Sequence, residues 1–504
     1  METEMQVDRI SDLPIPILHH ILSFLPTRDV VRTCVLSKHW HSTSSSFPIL
    51  EFDIYDFRSY RRGGYYNNPI KDEEFLRWVD ARVERLCETT DTNILRLKVW
   101  VGLLDPRIIR AIERAMERNV EELDLAFLSL LGDDNIKHQH ILYSARSVVV
   151  YKLEGINLSL PDLLRGCPLL QELHLRDCYL LQETNIVNDD ANNLKTLVFK
   201  KCHGISDLVI RVPNLESFAY PGGFICAIHL DLAQTSSLKS VNLGDISISE
   251  EWLENLIRGC PKLEFLKLYC NYRWERIAIC HQRLKTLKLY GCTINSPWSL
   301  IIKIDTPELL RFTYNGPTMP FYMFNYSASL KATLNLIRRE KDDATWFANL
   351  RKMLQWFSGC VTLQLIIPSD VFYPEELIFG MDIRDNSIPL MYGLKNLEIQ
   401  FPICRPRSHV PFIELIDTYL WLCPHLETLK ITSDEETEEV AMFKFEREHR
   451  NIPLCCAEHP GECWKFSGKK VTLASYVGRE SDKQWLLSTC ISHYGDTGRF
   501  VGPL

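Results

Sequence analysis

From about residue 90 the chain repeats one arrangement of side chains, apolar-x-x-apolar-x-apolar. It appears in Val120–Leu125, Leu170–Leu175, Leu194–Phe199, Leu263–Leu268, Leu284–Leu289, Leu394–Ile399 and Leu426–Ile431. Its last three positions alternate, as in a strand with one buried face, because successive side chains of extended backbone point to opposite sides. With the second apolar residue as marker, Leu97, Leu123, Val148, Leu173, Leu197, Phe218, Val241, Leu266, Leu287 and Phe312 follow at gaps of 26, 25, 25, 24, 21, 23, 25, 21 and 25 residues. The later markers Leu334, Leu363, Leu397 and Leu429 are more widely spaced, which predicts insertions. Each unit is expected to hold a strand, a turn and a helix.

Two further features repeat with the strands. Leu164-Arg165-Gly166-Cys167-Pro168 and Ile257-Arg258-Gly259-Cys260-Pro261 precede the next strand, and Trp421-Leu422-Cys423-Pro424 varies the theme. Glycine there is expected to release a helix and proline to prevent its continuation. Three residues past the last strand apolar stand Cys178, Cys202, Cys292 and Asn271. A small polar side chain at that point can satisfy backbone groups as the chain leaves the strand. The period and these positions resemble leucine-rich repeats. That resemblance implies an α/β fold, a solenoid with parallel strands on the concave side and helices on the convex side. Glu172, His174, Arg176, Lys195, Lys267, Lys285 and Lys288 are expected on or beside the strand face, and none is singled out as a substrate contact.

The first fifty residues follow a different rule. Ile17, Leu18, Ile21, Leu22 and Leu25 fall at helical spacing after Pro14, with Asp12 as a candidate cap. Pro26 ends that helix, and Asp29 is a candidate cap for a second one carrying Val30, Val31, Cys34, Val35 and Leu36 before Trp40. Helices this short cannot bury so many large side chains among themselves. The apolar surface therefore needs cover. A partner protein would supply it, and so would the open end of the repeat domain, since solenoids need their terminal cores closed.

Leu13-Pro14, Ile21-Leu22-Ser23-Phe24-Leu25-Pro26, Val35-Leu36-Ser37-Lys38 and Trp40 together resemble the F-box in its plant form. The resemblance implies a Skp-type adaptor as partner, and through it a cullin and a RING subunit. Leu13 and Pro14 would enter the adaptor's groove; Ile17, Leu18, Ile21, Leu22, Leu25 and Pro26 would supply the apolar face. Val30, Val31, Val35 and Leu36 would extend that face, and Trp40 would anchor the last helix. Pro16 departs from the usual acidic residue but stays within the first turn, where proline is tolerated. The run His41-Ser42-Thr43-Ser44-Ser45-Ser46 replaces the usual basic and apolar residues and is expected to loosen the junction. Phe47–Asp53, Phe75–Leu97 and Arg118–Leu125 also resemble the plant F-box/LRR proteins. Near the other end, Lys470-Val471-Thr472-Leu473, Gly478-Arg479-Glu480 and Trp485–Ile491 faintly resemble an FBD domain. The expected organisation is an F-box at 6–53, a dozen or more leucine-rich repeats at 70–433, and a C-terminal FBD-like or capping region at 440–504.

Composition narrows the chemistry. Hydrophobic residues make up 46% of the 504 and charged residues 24%, the balance of a soluble globular chain. No window approaches the roughly 20 apolar residues of a membrane span. A net charge of −8 argues against general nucleic-acid binding, which needs a basic surface. Seventeen cysteines spread along the chain, behind a polar acidic start at Met1–Asp8, predict free thiols in the cytoplasm or nucleus. Cys455-Cys456-x-x-His459-x-x-x-Cys463 is one cluster of soft ligands, but it lacks two spaced pairs and is read as a loop. No phosphate-binding, metalloprotease, nucleophile-elbow or dinucleotide signature is present. The expectation is a non-catalytic receptor without cofactor or metal, whose F-box takes the adaptor and whose repeats take an unidentified target. A scaffold protein whose N-terminal helices only cap the solenoid is the alternative. A hormone-gated receptor has no identifiable pocket.

Overall fold

A computed structural model describes residues 9–58, 69–88, 94–102, 105–127, 139–180, 184–187, 191–205, 207–222, 229–232, 235–244, 248–269, 274, 276–291, 301–318, 321–337, 349–350, 352–367, 391–401, 412–433, 439–447, 469–476, 483–484 and 488. The chain divides into two units, residues 1–247 and 248–504.

The first unit opens with three short helices, α1 (Ile15–Leu22), α2 (Thr27–Arg32) and α3 (Lys38–Ser45). Strand β1 (Ile49–Asp53) follows, then helix α4 (Pro69–Glu88), β2 (Arg96–Val101), helix α5 (Pro106–Glu117) and β3 (Glu122–Phe127). The ladder continues through β4 (Val150–Glu154), β5 (Glu172–Arg176), β6 (Thr196–Lys200), β7 (Ser217–Tyr220) and β8 (Ser240–Leu243). Every neighbouring pair is parallel. The repeat therefore begins at β1, inside the segment that sequence alone assigns to the F-box: Leu50 stands in register with Leu97, and Leu97 with Leu123.

Register corrects one marker in this unit. Leu123 pairs with Tyr151, not Val148, and Tyr151 pairs with Leu173. Val148 is also fully buried, at the position before the strand that Val120 fills one repeat earlier. The strand residues alternate between buried and half-buried along their length. Burying one leucine or valine of this kind contributes about 1.5–3 kcal/mol, so the ladder of inward side chains holds the unit together.

The side opposite the strands is mixed. Helix α5 presents Ile108, Ile109, Ala111, Ile112 and Ala115 inward, and Asp105 caps it by accepting the Arg107 N–H at 2.8 Å. Arg107 also reaches Glu73 on α4 at 2.9 Å, tying the two helices together. Helix α6 (Leu160–Gly166) is only two turns long. Later repeats put strands where helices are expected: Thr184–Val187, Asp207–Arg211 and His229–Asp231 form a second, three-stranded parallel sheet. A 21-residue repeat such as Leu197 to Phe218 leaves little chain for a helix, and alternating Leu208 and Ile210 are buried as a strand instead.

Three successive turns out of the strands are built the same way. Gly155, Asp177 and Lys201 stand in successive repeats, all with positive φ (70°, 47° and 55°). Gly155 is the unstrained version, and a side chain there would also strike the Phe127 carbonyl. Next comes the cysteine position. The Cys178 thiol donates to the Leu153 carbonyl at 3.4 Å and the Cys202 thiol to the Leu175 carbonyl at 3.4 Å, each one repeat back. The small polar side chain thus satisfies backbone groups; Cys292 and Asn271 lie outside the described residues.

The second unit repeats the scheme. Helix α7 (Glu250–Gly259) leads into β9 (Phe265–Tyr269), β10 (Thr286–Tyr290), β11 (Arg311–Pro317), β12 (Lys331–Ile337), β13 (Thr362–Ile366), β14 (Asn396–Phe401) and β15 (Thr428–Ser433), all parallel neighbours. Phe312 registers with Ala332 rather than Leu334. The strands Arg276–Cys280, Ile301–Asp305 and Phe321–Asn325 make another parallel sheet on the far side. Helix α8 (Phe412–Leu422) precedes β15. Two antiparallel strands, β16 (Glu439–Arg447) and β17 (Lys469–Tyr476), close the ladder. The FBD-like segment is described only in part: Lys470–Leu473 lie in β17, while Gly478–Glu480, Trp485–Leu487 and Thr489–Ile491 fall outside, as does the Cys455–Cys463 cluster.

Glycine in the Arg-Gly-Cys-Pro element does not act by leaving the helix with positive φ. Gly166 and Gly259 are the last residues of α6 and α7. A Cβ on Gly166 would lie 1.7 Å from the Tyr143 carbonyl oxygen, whereas one on Gly259 would meet nothing within 4 Å. Close approach of neighbouring backbone, not a left-handed turn, requires the first glycine.

Candidate docking surface at the N-terminal helices

The three N-terminal helices have an inner and an outer face. Pro14, with φ −55° and ψ 143°, is the N-cap of α1, and Pro16 sits in its first turn. Asp12 makes no cap. Pro26 likewise precedes α2, so Asp29 is a first-turn residue, paired with Arg32 at 2.9 Å, rather than the cap. A proline just before α1 and α2 fixes extended backbone there and leaves those two helices without a side-chain cap.

Inward, Leu18, Leu22 and Val30 are buried, and Leu22 and Val30 share a cluster with Phe47, flanked by Trp40 and Ile49. Trp40 is held by its indole N–H, which donates to the Ser11 hydroxyl at 3.0 Å, while its backbone N–H is capped by Ser37 at 3.2 Å. His19 bridges α1 and α3: its Nε2 lies 3.2 Å from the Thr43 carbonyl and its ring meets Phe47 edge-on at 5.6 Å. Burial lowers the His19 pKa below the ordinary histidine value, with the Thr43 contact opposing.

The serine-rich run does not loosen the junction. It completes α3, with Thr43 and Ser44 buried. Their hydroxyls return to the carbonyls of His39 and His41 at 2.9 and 3.2 Å. The Ser44 carbonyl accepts from buried Arg82 of α4 at 2.8 Å, and the Glu51 N–H of β1 donates to Thr27 Oγ1 at 3.1 Å. The inner face is thus joined to the first repeat.

Outward, the surface is apolar. Of the seventeen large hydrophobic residues exposed among the described residues, eight fall between residues 10 and 36: Ile10, Ile15, Ile17, Ile21, Phe24, Leu25, Val35 and Leu36. Val35 is 86% exposed, Phe24 75% and Leu36 66%. Exposed apolar side chains at this density mark a surface that another molecule covers. Of the thirteen residues read from sequence as adaptor contacts, Pro14, Ile17, Ile21, Leu25, Pro26, Val35 and Leu36 are exposed. Leu13, Val31 and Trp40 are half-buried, and Leu18, Leu22 and Val30 support the surface from within. Ile10, Ile15 and Phe24 join the outer face without having been named from spacing; Phe24 sits in the turn after α1, where helical periodicity says nothing.

Comparison with known proteins finds two matching family models. The F-box domain model matches residues 10–52, and the model for the LRR repeats of the FBD-associated F-box protein At5g56370 matches residues 223–321. The chain is 34% identical over 207 residues to the Arabidopsis thaliana F-box/FBD/LRR-repeat protein At5g22670, a match covering 38% of this chain and 43% of that one. Two longer matches are to A. thaliana F-box/LRR-repeat proteins: At3g59200, 25% identical over 95% of this chain and 77% of that one, and F-box/LRR-repeat protein 13, 27% identical over 96% and 90%. Among solved structures, the Leptospira interrogans LRR protein LIC12759 aligns with a TM-score of 0.31 and 14% identity, covering 68% of this chain and 89% of that one. The chain joins an F-box domain to leucine-rich repeats of the FBD-associated kind and is homologous to the Arabidopsis F-box/LRR-repeat proteins.

Proposed function

We propose that this protein is the substrate-recognition subunit of a Skp–cullin–F-box ubiquitin ligase, acting without catalysis of its own in the cytoplasm or nucleus. One observation carries the proposal: the outer face of an F-box segment presents eight exposed large apolar side chains within 27 residues. A Skp-type adaptor covers that face and links it to cullin and RING subunits, while the repeats hold a target protein. The work done is one of effective concentration, since a held target meets the charged conjugating enzyme intramolecularly. The end-cap reading accounts for the inner face, where Thr27, Ser44 and Phe47 close the first repeat. It leaves Val35 and Leu36 uncovered, so capping and docking are two faces of one element. Reconstitution with a recombinant adaptor, cullin and RING subunit tests the proposal: a four-part complex is expected on size exclusion. Failure of the folded chain to enter it would defeat the receptor reading.

A further inference from the structure

The outward faces of the two strand ladders differ in charge chemistry. Among the described residues of the first unit most cations of the ladder are paired with a carboxylate, Lys200 at the end of β6 being the exception. Arg96 and Lys152 both reach Glu122 at 2.7 Å, Arg176 reaches Glu154 at 3.2 Å, and Lys98 reaches Asp53 at 3.3 Å. In the second unit the first four strands carry Lys267, Lys288, Arg311 and Lys331 on the same outward side, in adjoining registers. Among the described residues none of these four has a carboxylate within ion-pair distance. Among the described strand residues in the row of Lys267 and Lys288, the first acid is Glu398 of β14, two strands beyond β12, and it faces Lys430.

Two of these cations are held in place. Tyr269 and Tyr290 stack with ring centroids 5.3 Å apart, and the Lys267 ammonium lies 5.2 and 5.0 Å from their centres. Lys288 stands 6.0 Å from the Phe265 ring. A lysine resting on aromatic faces loses less side-chain freedom on meeting an anion than a free one, and it keeps its charge. The rest of the patch is donor-rich and neutral, with Thr313 and Thr333 in the row of Lys288 and Asn315 and Asn335 in the next.

We propose that the outward face of β9–β12 binds a short acidic segment of the target protein, its carboxylates set against Lys267 and Lys288. This deepens the receptor reading above and rests on it. Charge complementarity selects an anion, and extent selects a peptide. Four parallel strands about 4.8 Å apart span roughly 14 Å, the length of four or five extended residues. A nucleic acid would need a longer basic track, whereas here the cationic rows give way to Thr362, Gln364 and then Glu398.

Fluorescence anisotropy with labelled hexaglutamate as probe, at about 50 mM salt where screening is weak, tests the assignment on the full chain. Hexaglutamate is expected to bind, hexaglutamine not to bind, and Lys267→Glu/Lys288→Glu to weaken hexaglutamate by at least about tenfold. The neutral pair Lys267→Gln/Lys288→Gln should lose binding too, and Lys152→Glu in the first unit should not. Equal binding by the wild type and both double variants would overturn the proposal. So would tighter binding of a hexauridine oligonucleotide, or of a phosphoserine hexapeptide. Adaptor capture is read separately on the same samples. A chain that takes hexaglutamate but no adaptor defeats the receptor reading and spares this surface; one that takes adaptor but no hexaglutamate does the reverse.

Discussion

Replacing Gly166 and Gly259 by alanine should move stability in opposite directions, although both occupy the same place in an Arg-Gly-Cys-Pro element. At Gly166 the added Cβ would lie 1.7 Å from the Tyr143 carbonyl oxygen, 2.5 Å from its carbon and 3.0 Å from its Cα. All three atoms are backbone of the preceding turn, so neither side yields cheaply. Overpacking of this kind costs about 1–3 kcal/mol or more. The reduced freedom of the unfolded chain returns only about 0.4–1 kcal/mol. Gly166→Ala should therefore destabilise the first unit by about 1–2 kcal/mol, roughly a tenfold loss in its folded-to-unfolded ratio. At Gly259 nothing lies within 4 Å, so only the entropic gain remains and alanine should stabilise the second unit by about 0.5 kcal/mol. Hydrogen exchange read by mass spectrometry across a urea series resolves the two units in one molecule. Shifts of equal sign, or a Gly166→Ala chain as stable as wild type, would refute the close-approach account of the element.

Leu22→Ala removes a buried side chain from the Leu22–Val30–Phe47 cluster and should cost about 2–5 kcal/mol, exposing α1–α3 to proteolysis; undiminished protease resistance would contradict the inner-face assignment. His281 is buried, its Nε2 3.0 Å from the Cys260 carbonyl and its Nδ1 accepting the Arg283 N–H at 3.2 Å. Burial, with Arg283 beside it, lowers its pKa below the ordinary 6.5, so the unfolded chain binds the proton more readily. Its contribution to stability is thus complete above pH 6.5 and lost as the pH falls below that value, and His281→Gln should flatten the acid limb of a pH–melting curve for the second unit. Burial pushes the Cys167 and Cys360 thiols up to about 12 and that of Cys260 to about 11, while Cys280 is exposed. Iodoacetamide followed by peptide mapping should label Cys280 well before these three.

How much of this could be read from the residues depends on whether the deciding contact is local. Strands from Leu97 onward are legible because alternation alone fixes which side is buried. Register slips where apolar residues crowd, as in Val148-Val149-Val150-Tyr151, or where the true partner is as small as Ala332 and Leu334 looks more like a repeat leucine. The far side of the repeats is less legible. Short repeats replace the expected helix with strands such as Ile277–Ile279, because a fixed period leaves too few residues for helical turns. In the N-terminal helices, spacing reveals an apolar surface but not its division. Ile21 and Leu22 look equivalent in sequence, yet Leu22 packs with Val30 and Phe47 on the inner side while Ile21 is exposed. Lys267 and Lys288 can be placed on the strand face from spacing alone, but they acquire meaning only from the stacked tyrosines beside them and from carboxylates that stand elsewhere.

The docking claim is tested most directly by adaptor affinity of the full chain carrying Val35→Glu and Leu36→Glu. Both residues are exposed, so the variant should unfold like wild type, within about 0.5 kcal/mol. Binding of a Skp-type adaptor, measured by biolayer interferometry, should fall by at least about tenfold, because a docked apolar anchor is replaced by a desolvated charge. An adaptor bound as tightly by this variant as by wild type would contradict the assignment of the outer face of α1–α3 as the ligase-binding surface.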